Sequence, residues 1–144
     1  MNDINKNLVA YCGLYCGDCH GYTGTIADLA RDLRKELRKF KFDRVAEVIP
    51  FKEFQHYKEC YEALGAMVRL RCKKACRGGG GPPFCKIREC CLKNSFEGCW
   101  ECDQIDDCDK LKFLEPVHKD AHTKNLKNIK KIGVDKWITG KHFW

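Results

Sequence analysis

Long apolar runs are missing from this chain: nowhere do about 18 apolar residues follow one another, so no membrane-spanning helix and no membrane partner are expected. No basic stretch leads into an apolar one near the start, so no secretory signal is expected and the chain reads as cytoplasmic. A credible acid/base pair, a nucleophile–histidine constellation and a cofactor fingerprint are also lacking, which argues against catalysis. The glycines at 78–81 are not followed by Gly-Lys-Ser/Thr and so do not make a nucleotide P-loop; they read as a connection that lets the chain wrap a metal, or as a ligand-contacting loop. Between residues 72 and 108 large apolar side chains are scarce, and such a segment is expected to be held by cross-links rather than by hydrophobic burial.

What that segment has instead is cysteine. Cys72, Cys76, Cys85, Cys90, Cys91, Cys99, Cys102 and Cys108 are eight of the twelve in the chain. A reducing cytosol disfavours structural disulfides, so this density reads as metal ligation. The pair Cys99-x2-Cys102 is the most diagnostic, because one tight turn presents both sulfurs to a tetrahedral ion about 2.3 Å away. Adjacent Cys90 and Cys91 rarely serve one such ion together, which leaves Cys91 as a spare thiol, a ligand of a second site, a reactive thiol or an inert buried one.

Nearer the start, Cys12-x3-Cys16-x2-Cys19 brings three sulfurs within reach of one ion, and Gly13, Gly17 and Gly21 allow tight turns that aim N–H groups at them. The fourth ligand must come from elsewhere. The same spacing occurs in radical S-adenosylmethionine enzymes, but Asp18 stands where those usually have an aromatic, and 144 residues are too few for their partial barrel. The expected ligands are therefore Cys12, Cys16 and Cys19 with a set drawn from Cys72, Cys76, Cys85, Cys90, Cys99, Cys102 and Cys108. They would hold zinc, as two ions, with an iron–sulfur cluster as the alternative. No ferredoxin spacing appears, which weighs against the cluster. How the cysteines divide into sites is not legible from spacing.

The formal charge is +7 with thiols counted neutral, yet a four-thiolate zinc site carries about −2, so two of them would bring the chain to about +3. Basicity is thus a weak pointer to nucleic acid.

The remaining chain predicts helices. From Thr25 to Ile49 the residues Ile26, Leu29, Leu33, Leu37, Phe40, Val45 and Val48 recur at helical spacing, with Thr25 and Asp28 as a capping pair, a break near Phe40–Asp43 and a stop at Pro50. A second helix is expected to begin at Pro50, with Phe51, Phe54, Tyr57, Tyr61, Leu64, Met67 and Val68 facing inward and Cys60 buried among them as a small hydrophobe. Asp120 is expected to cap a helix carrying Leu126, Ile129 and Ile132 that closes at Gly133, followed by a short helix docked by Trp137. Lys124, Lys127, Lys130, Lys131, Lys136 and Lys141 make this end basic, a possible nucleic-acid surface and more simply a solvated one. His118 and His122 have chelating spacing, but Pro116 and the Asp120 cap start the helix between them.

The residues Tyr11-Cys-Gly-Leu-Tyr-Cys-Gly-Asp-Cys19, Cys85-Lys-Ile-Arg-Glu-Cys90 and Cys99-Trp-Glu-Cys102 through Cys108-Asp-Lys-Leu111 resemble those of the domain of unknown function 3795 family, and the likeness extends over most of the chain. The resemblance implies a small cysteine-rich protein that binds metal, often zinc, and carries no established activity. Many members have two residues where this chain has three at Cys72-x3-Cys76, and a small residue where it has Cys91. The sequence thus predicts a mainly α protein, one domain over 1–144, in which amphipathic helices pack around an irregular cysteine-rich metal-binding module. Its segments are the cysteine motif at 1–24, a helical pair at 25–70, the module at 71–110 and basic helices at 111–144. The expected role is a zinc-stabilised interaction module with a protein partner, against an iron–sulfur redox protein or a nucleic-acid-binding zinc protein.

Overall fold

A computed structural model describes residues 6–144; the first five residues of the segment at 1–24 lie outside it. The chain is mainly α, with no strands among the described residues beyond an isolated antiparallel bridge between Val9 and Tyr15. Helices α1 (His20–Thr23), α2 (Thr25–Lys39), α3 (Phe42–Val48) and α4 (Tyr57–Val68) come first. After the glycine-rich loop come α5 (Lys86–Lys93), α6 (Glu115–His118), α7 (Ala121–Ile132) and α8 (Val134–Ile138).

Several helix boundaries match the sequence. The break between α2 and α3 falls at Phe40 and Lys41, where Lys41 takes φ +50°, and α7 ends at Gly133 with φ +84°. Trp137 on α8 is fully buried. Other expectations are corrected. Thr25 does not cap α2: Gly24 in the left-handed region starts the helix, Thr25 Oγ1 pairs with Thr23 Oγ1, and Asp28 is drawn to Arg31 and Arg71. Pro50 does not open a helix either, because a separate 3-10 turn at Lys52–His56 precedes α4. Asp120 stands at the N-cap of α7 without a side-chain capping bond, its carboxylate being taken by Lys124 at 3.1 Å.

The larger correction concerns the core. The segment expected to lack an oily interior contributes Ile87, Cys91, Trp100 and Ile105 to it, packed with Val9, Tyr11, Leu14, Leu111, Leu114, Leu126, Ile129, Trp137 and Ile138. None of these belongs to α2, α3 or α4. The cysteine segment therefore does fold on hydrophobic burial, using residues too scattered along the chain to look like a core.

The helical pair runs alongside instead of inside. Helices α2 and α4 meet through small residues: Ala27 and Ala30 are 4% exposed, and Gly65 is buried where a Cβ would press on the Arg34 guanidinium at 3.1 Å. Arg34 in turn stacks on the Tyr61 ring at 4.3 Å, and Arg38 donates to the Tyr61 hydroxyl at 2.8 Å. This seam turns the leucine stripe outward, so Leu29 is 66% and Leu33 48% exposed. On α4 the tyrosines, Leu64 and Val68 are partly covered, whereas Met67 and Cys60 are exposed, as is Phe51 ahead of the helix; Cys60 is not the buried hydrophobe expected.

Two substitutions separate these environments. Leu126→Ala, at a fully buried site under Gly13, should cost about 2–5 kcal/mol, while Leu33→Lys should stay within about 0.5 kcal/mol of the parent chain; urea unfolding of each variant measures both.

Candidate metal centre

Half of the cysteines stand at the start of a helical turn or helix. Cys16, Cys76 and Cys99 are the first residues of 3-10 turns, and Cys108 precedes a fourth. In each the cysteine carbonyl accepts from the N–H three residues on: Cys19 at 3.1 Å, Gly79 at 3.0 Å, Cys102 at 3.0 Å and Leu111 at 3.1 Å. Cys19 and Cys85 are the N-caps of α1 and α5. Such turns leave N–H groups free to face sulfur, and three do so. Cys76 N–H donates to Cys16 Sγ at 3.5 Å, Gln104 N–H to Cys102 Sγ at 3.4 Å, and the backbone of Leu14 to the Cys12 thiol. Hydrogen bonds of this kind favour the thiolate and orient it.

The sulfurs gather in two groups. In the first, Cys16 lies near Cys19, Cys72 and Cys76, and Cys12 near Cys16, Cys76 and Cys85. Gly21 shows how closely they sit: a Cβ there would be 3.2 Å from Cys72 Sγ and 3.5 Å from Cys19 Sγ, and Cys72 N–H donates to the Gly21 carbonyl at 2.7 Å. The role of Gly21 is thus room beside sulfur; a tight turn is the role of Gly13, at φ +83°. In the second group Cys90, Cys91, Cys99, Cys102 and Cys108 line a cavity of about 30 Å³ with Ile87, Phe96, Ile105 and Leu111. Cys91 and Cys99 have sulfurs 3.6 Å apart, and the Asn94 amide lies 3.6 Å from Cys90 Sγ. All twelve cysteines are free thiols, and Cys60 stands apart on α4.

Two arginines hold the scaffold. Arg77 donates to the carbonyls of Val9 at 2.8 Å and Glu97 at 2.5 Å and stacks on Tyr11, with Trp100 beyond. Arg88 on α5 donates to the carbonyls of Cys76, Gly80 and Pro82 at 2.8 to 3.1 Å, which fixes the glycine-rich loop in place. Gly80 is required there, since a Cβ would overlap the Lys74 carbonyl oxygen at 1.8 Å.

In the first group Cys12 and Cys16 resist ionisation. Burial pushes the Cys12 thiol up to about 12, and the neighbouring thiols of Cys76, Cys85 and Cys16 add to it against the backbone donation at Leu14; Cys16 is raised in the same way. In the second group Cys99 is raised because it donates to Cys91 and is buried. Sulfur donors crowded together, offered N–H bonds and short of countercharge, fit a soft cation. Among the described residues, no three cysteine, histidine, aspartate or glutamate side chains are already arranged as a metal-binding group.

The histidines stand aside. His118 belongs to α6 and His122 to α7, on either side of Lys119 at φ +51°, and each has a buried Nδ1 without a partner. Burial lowers the pKa of both. The lysines of α7 are largely spoken for: Lys127 pairs with Asp106 and Lys130 with Asp103, both at 2.7 Å, tying the helix to the cysteine segment. Sequence reasoning missed Arg77 and Arg88, which carry no motif, and found every cysteine of both groups except Cys91.

A family model for DUF3795, a protein of unknown function, matches residues 8–113, a span that includes both groups. The chain is a member of that family of uncharacterised proteins. No curated protein and no solved structure matches it.

The raised thiol fixes a pH dependence. Below about pH 9 folded and unfolded chains both keep the Cys12 proton; above it the unfolded chain releases the proton while the folded one holds it to about 12, so metal-free stability falls as pH rises through that window. Urea midpoints of reduced, metal-free protein should drop between pH 8 and 10, and Cys12→Ala should lessen the drop.

Proposed function

We propose that the chain is a zinc-stabilised interaction module without catalysis, working in a reducing, cytoplasmic compartment. The observation that carries this reading is the gathering of eleven cysteines into two sulfur groups that accept backbone N–H bonds, the first of which joins parts of the chain far apart in sequence. Cys12, Cys16, Cys19, Cys72, Cys76 and Cys85 would supply one ion, and Cys90, Cys99, Cys102 and Cys108 the other. Four saturating thiolates leave no open position, so the ions would act as structural cross-links.

The interaction role rests on the helical pair. Ile26, Leu29, Leu33 and Phe40 are exposed, and a groove of about 1040 Å³ is lined by Phe51, Phe54, Tyr57 and Tyr61 with Arg34, Asp43 and Glu62 among its charged residues. An apolar surface of this kind favours a protein partner. Nucleic acid is the weaker candidate, because Lys124, Lys127 and Lys130 are engaged by Asp120, Asp106 and Asp103. An iron–sulfur redox protein is the alternative where clusters replace zinc.

Protein purified anaerobically should be colourless and carry about two zinc ions per chain by elemental analysis, and a strong chelator should lower its thermal midpoint by 10 °C or more. Brown protein absorbing near 400 nm would replace zinc by clusters. Metal-free protein with an unchanged melt would end the metal reading.

A further inference from the structure

The second sulfur group has one thiol too many. Five cysteines line its cavity, and a tetrahedral ion takes four. The extra one is Cys91, 1% exposed on the inner face of α5 and packed into the hydrophobic core, while Cys99 opposite it keeps part of its surface exposed. Their sulfurs are 3.6 Å apart, so forming a disulfide of about 2.05 Å asks for a local approach and no rearrangement of the fold. Cys90, the next residue, is placed against the Asn94 amide.

We infer that Cys91 is a resolving thiol, and that Cys91 and Cys99 form a reversible, hydroperoxide-sensitive pair that governs metal retention at the second site. The inference rests on the metal reading above only for its consequence, not for the pairing. Held as a thiolate by the bound ion, the Cys99 sulfur attacks hydrogen peroxide; the O–O bond breaks, giving Cys99 sulfenic acid and hydroxide. The Cys91 sulfur then attacks the sulfenic sulfur; the S–O bond breaks, the S–S bond forms, and the Cys91 proton leaves with the departing hydroxide as water. In sum, one thiolate, one thiol and one peroxide become a disulfide, one water and one hydroxide. The ion loses Cys99 as a ligand and is released, and a dithiol or phosphine reductant restores both thiols.

The geometry also explains why the resolving thiol is the buried member. Cys91 is shielded from direct oxidation by the core and meets only what happens at Cys99, so the reaction stops at the disulfide instead of running on to sulfinic acid.

The test uses the full chain, zinc-loaded, treated anaerobically with one to two equivalents of hydrogen peroxide. Zinc release is read with a chromogenic chelator, and disulfides are mapped by mass spectrometry after alkylation of the remaining thiols. The expected result is loss of about half the zinc, a Cys91–Cys99 crosslink, and recovery of both after phosphine reduction and zinc resupply. Cys91→Ala, or Cys91→Val should the smaller residue leave an unstable cavity, should start with the same zinc content, then lose zinc to peroxide without recovery as Cys99 proceeds to sulfinic acid. A crosslink that joins Cys99 to Cys102 or Cys108 overturns the proposal. So does Cys91 alkylated in full after the zinc has gone, or a Cys91 variant that starts one ion short, which would make Cys91 a ligand. Should the purified chain hold no zinc, the metal reading falls by itself; a peroxide-induced Cys91–Cys99 crosslink in that material would still uphold the dithiol pair, and its absence would sink it.

Discussion

The strip from Val9 to Leu14 is held on every side, and the arrangement of sulfur follows from that. The Val9 carbonyl takes a bond from Arg77, the Tyr11 carbonyl takes one from Cys99 N–H at 2.8 Å, and Leu14 closes back onto Ala10 at 2.8 Å. Gly13 at φ +83° lies so near Leu126 that a Cβ would stand 2.8 Å from its side chain. Cys12 is carried on this strip between the two sulfur groups, near Cys76 and Cys85 on one side and Cys99 on the other. Movement of the strip would shift both groups together, so they are coupled through backbone hydrogen bonds and a shared core instead of through a ligand in common.

Hydrophobic burial and sulfur clustering work in opposite senses here. The core that encloses Cys12, Cys16 and Cys99 raises their thiols, because a buried thiolate among other sulfurs lacks both water and countercharge. In the metal-free chain those thiols are kept neutral, and Cys12 and Cys99 pack against the core as small hydrophobes. A bound cation would reverse the sign, and the same burial would then strengthen each sulfur–metal bond by excluding water. The core and any bound ions are thus successive contributors to one structure.

The parts of this fold that were legible in the sequence are those fixed by local chemistry. A break at Phe40–Lys41, a stop at Gly133 and the docking of Trp137 each depend on a few neighbouring residues. The cysteine turns were also visible as spacings, because three residues per turn is a local property. What could not be read was which apolar residues would meet. Ile87, Trp100, Ile105 and Leu111 occur singly, and their common core exists only once residues 8–15 and α7 fold over them. The leucine stripe of α2 was correct as a periodicity and misleading as a direction: Ala27, Ala30 and Gly65 permit a closer approach of α2 and α4 than leucines would, so the small residues took the seam. Cys60 was misplaced for the same reason. The first sulfur group was hidden because its members come from distant segments, as with Cys16 and Cys76, 60 residues apart.

The helical pair stands to the rest as an arm to a body. Its seam is made of alanines, one glycine and the Arg34–Tyr61 stack, and it adds nothing to the main core. It is tied to that body where α1 runs into α2 through Gly24, beside which Arg71 pairs with Asp28, and where Cys72 bonds to Gly21. Both ties lie next to Cys19 and Cys72, members of the first sulfur group. Elements with few buried apolar contacts open at lower free energy than the core they hang from, so the state of that group would be felt first as a change in how firmly the arm is anchored. An exposed apolar arm whose root is a cluster of thiols would, on the proposed reading, couple what the sulfurs hold to the surface a partner meets.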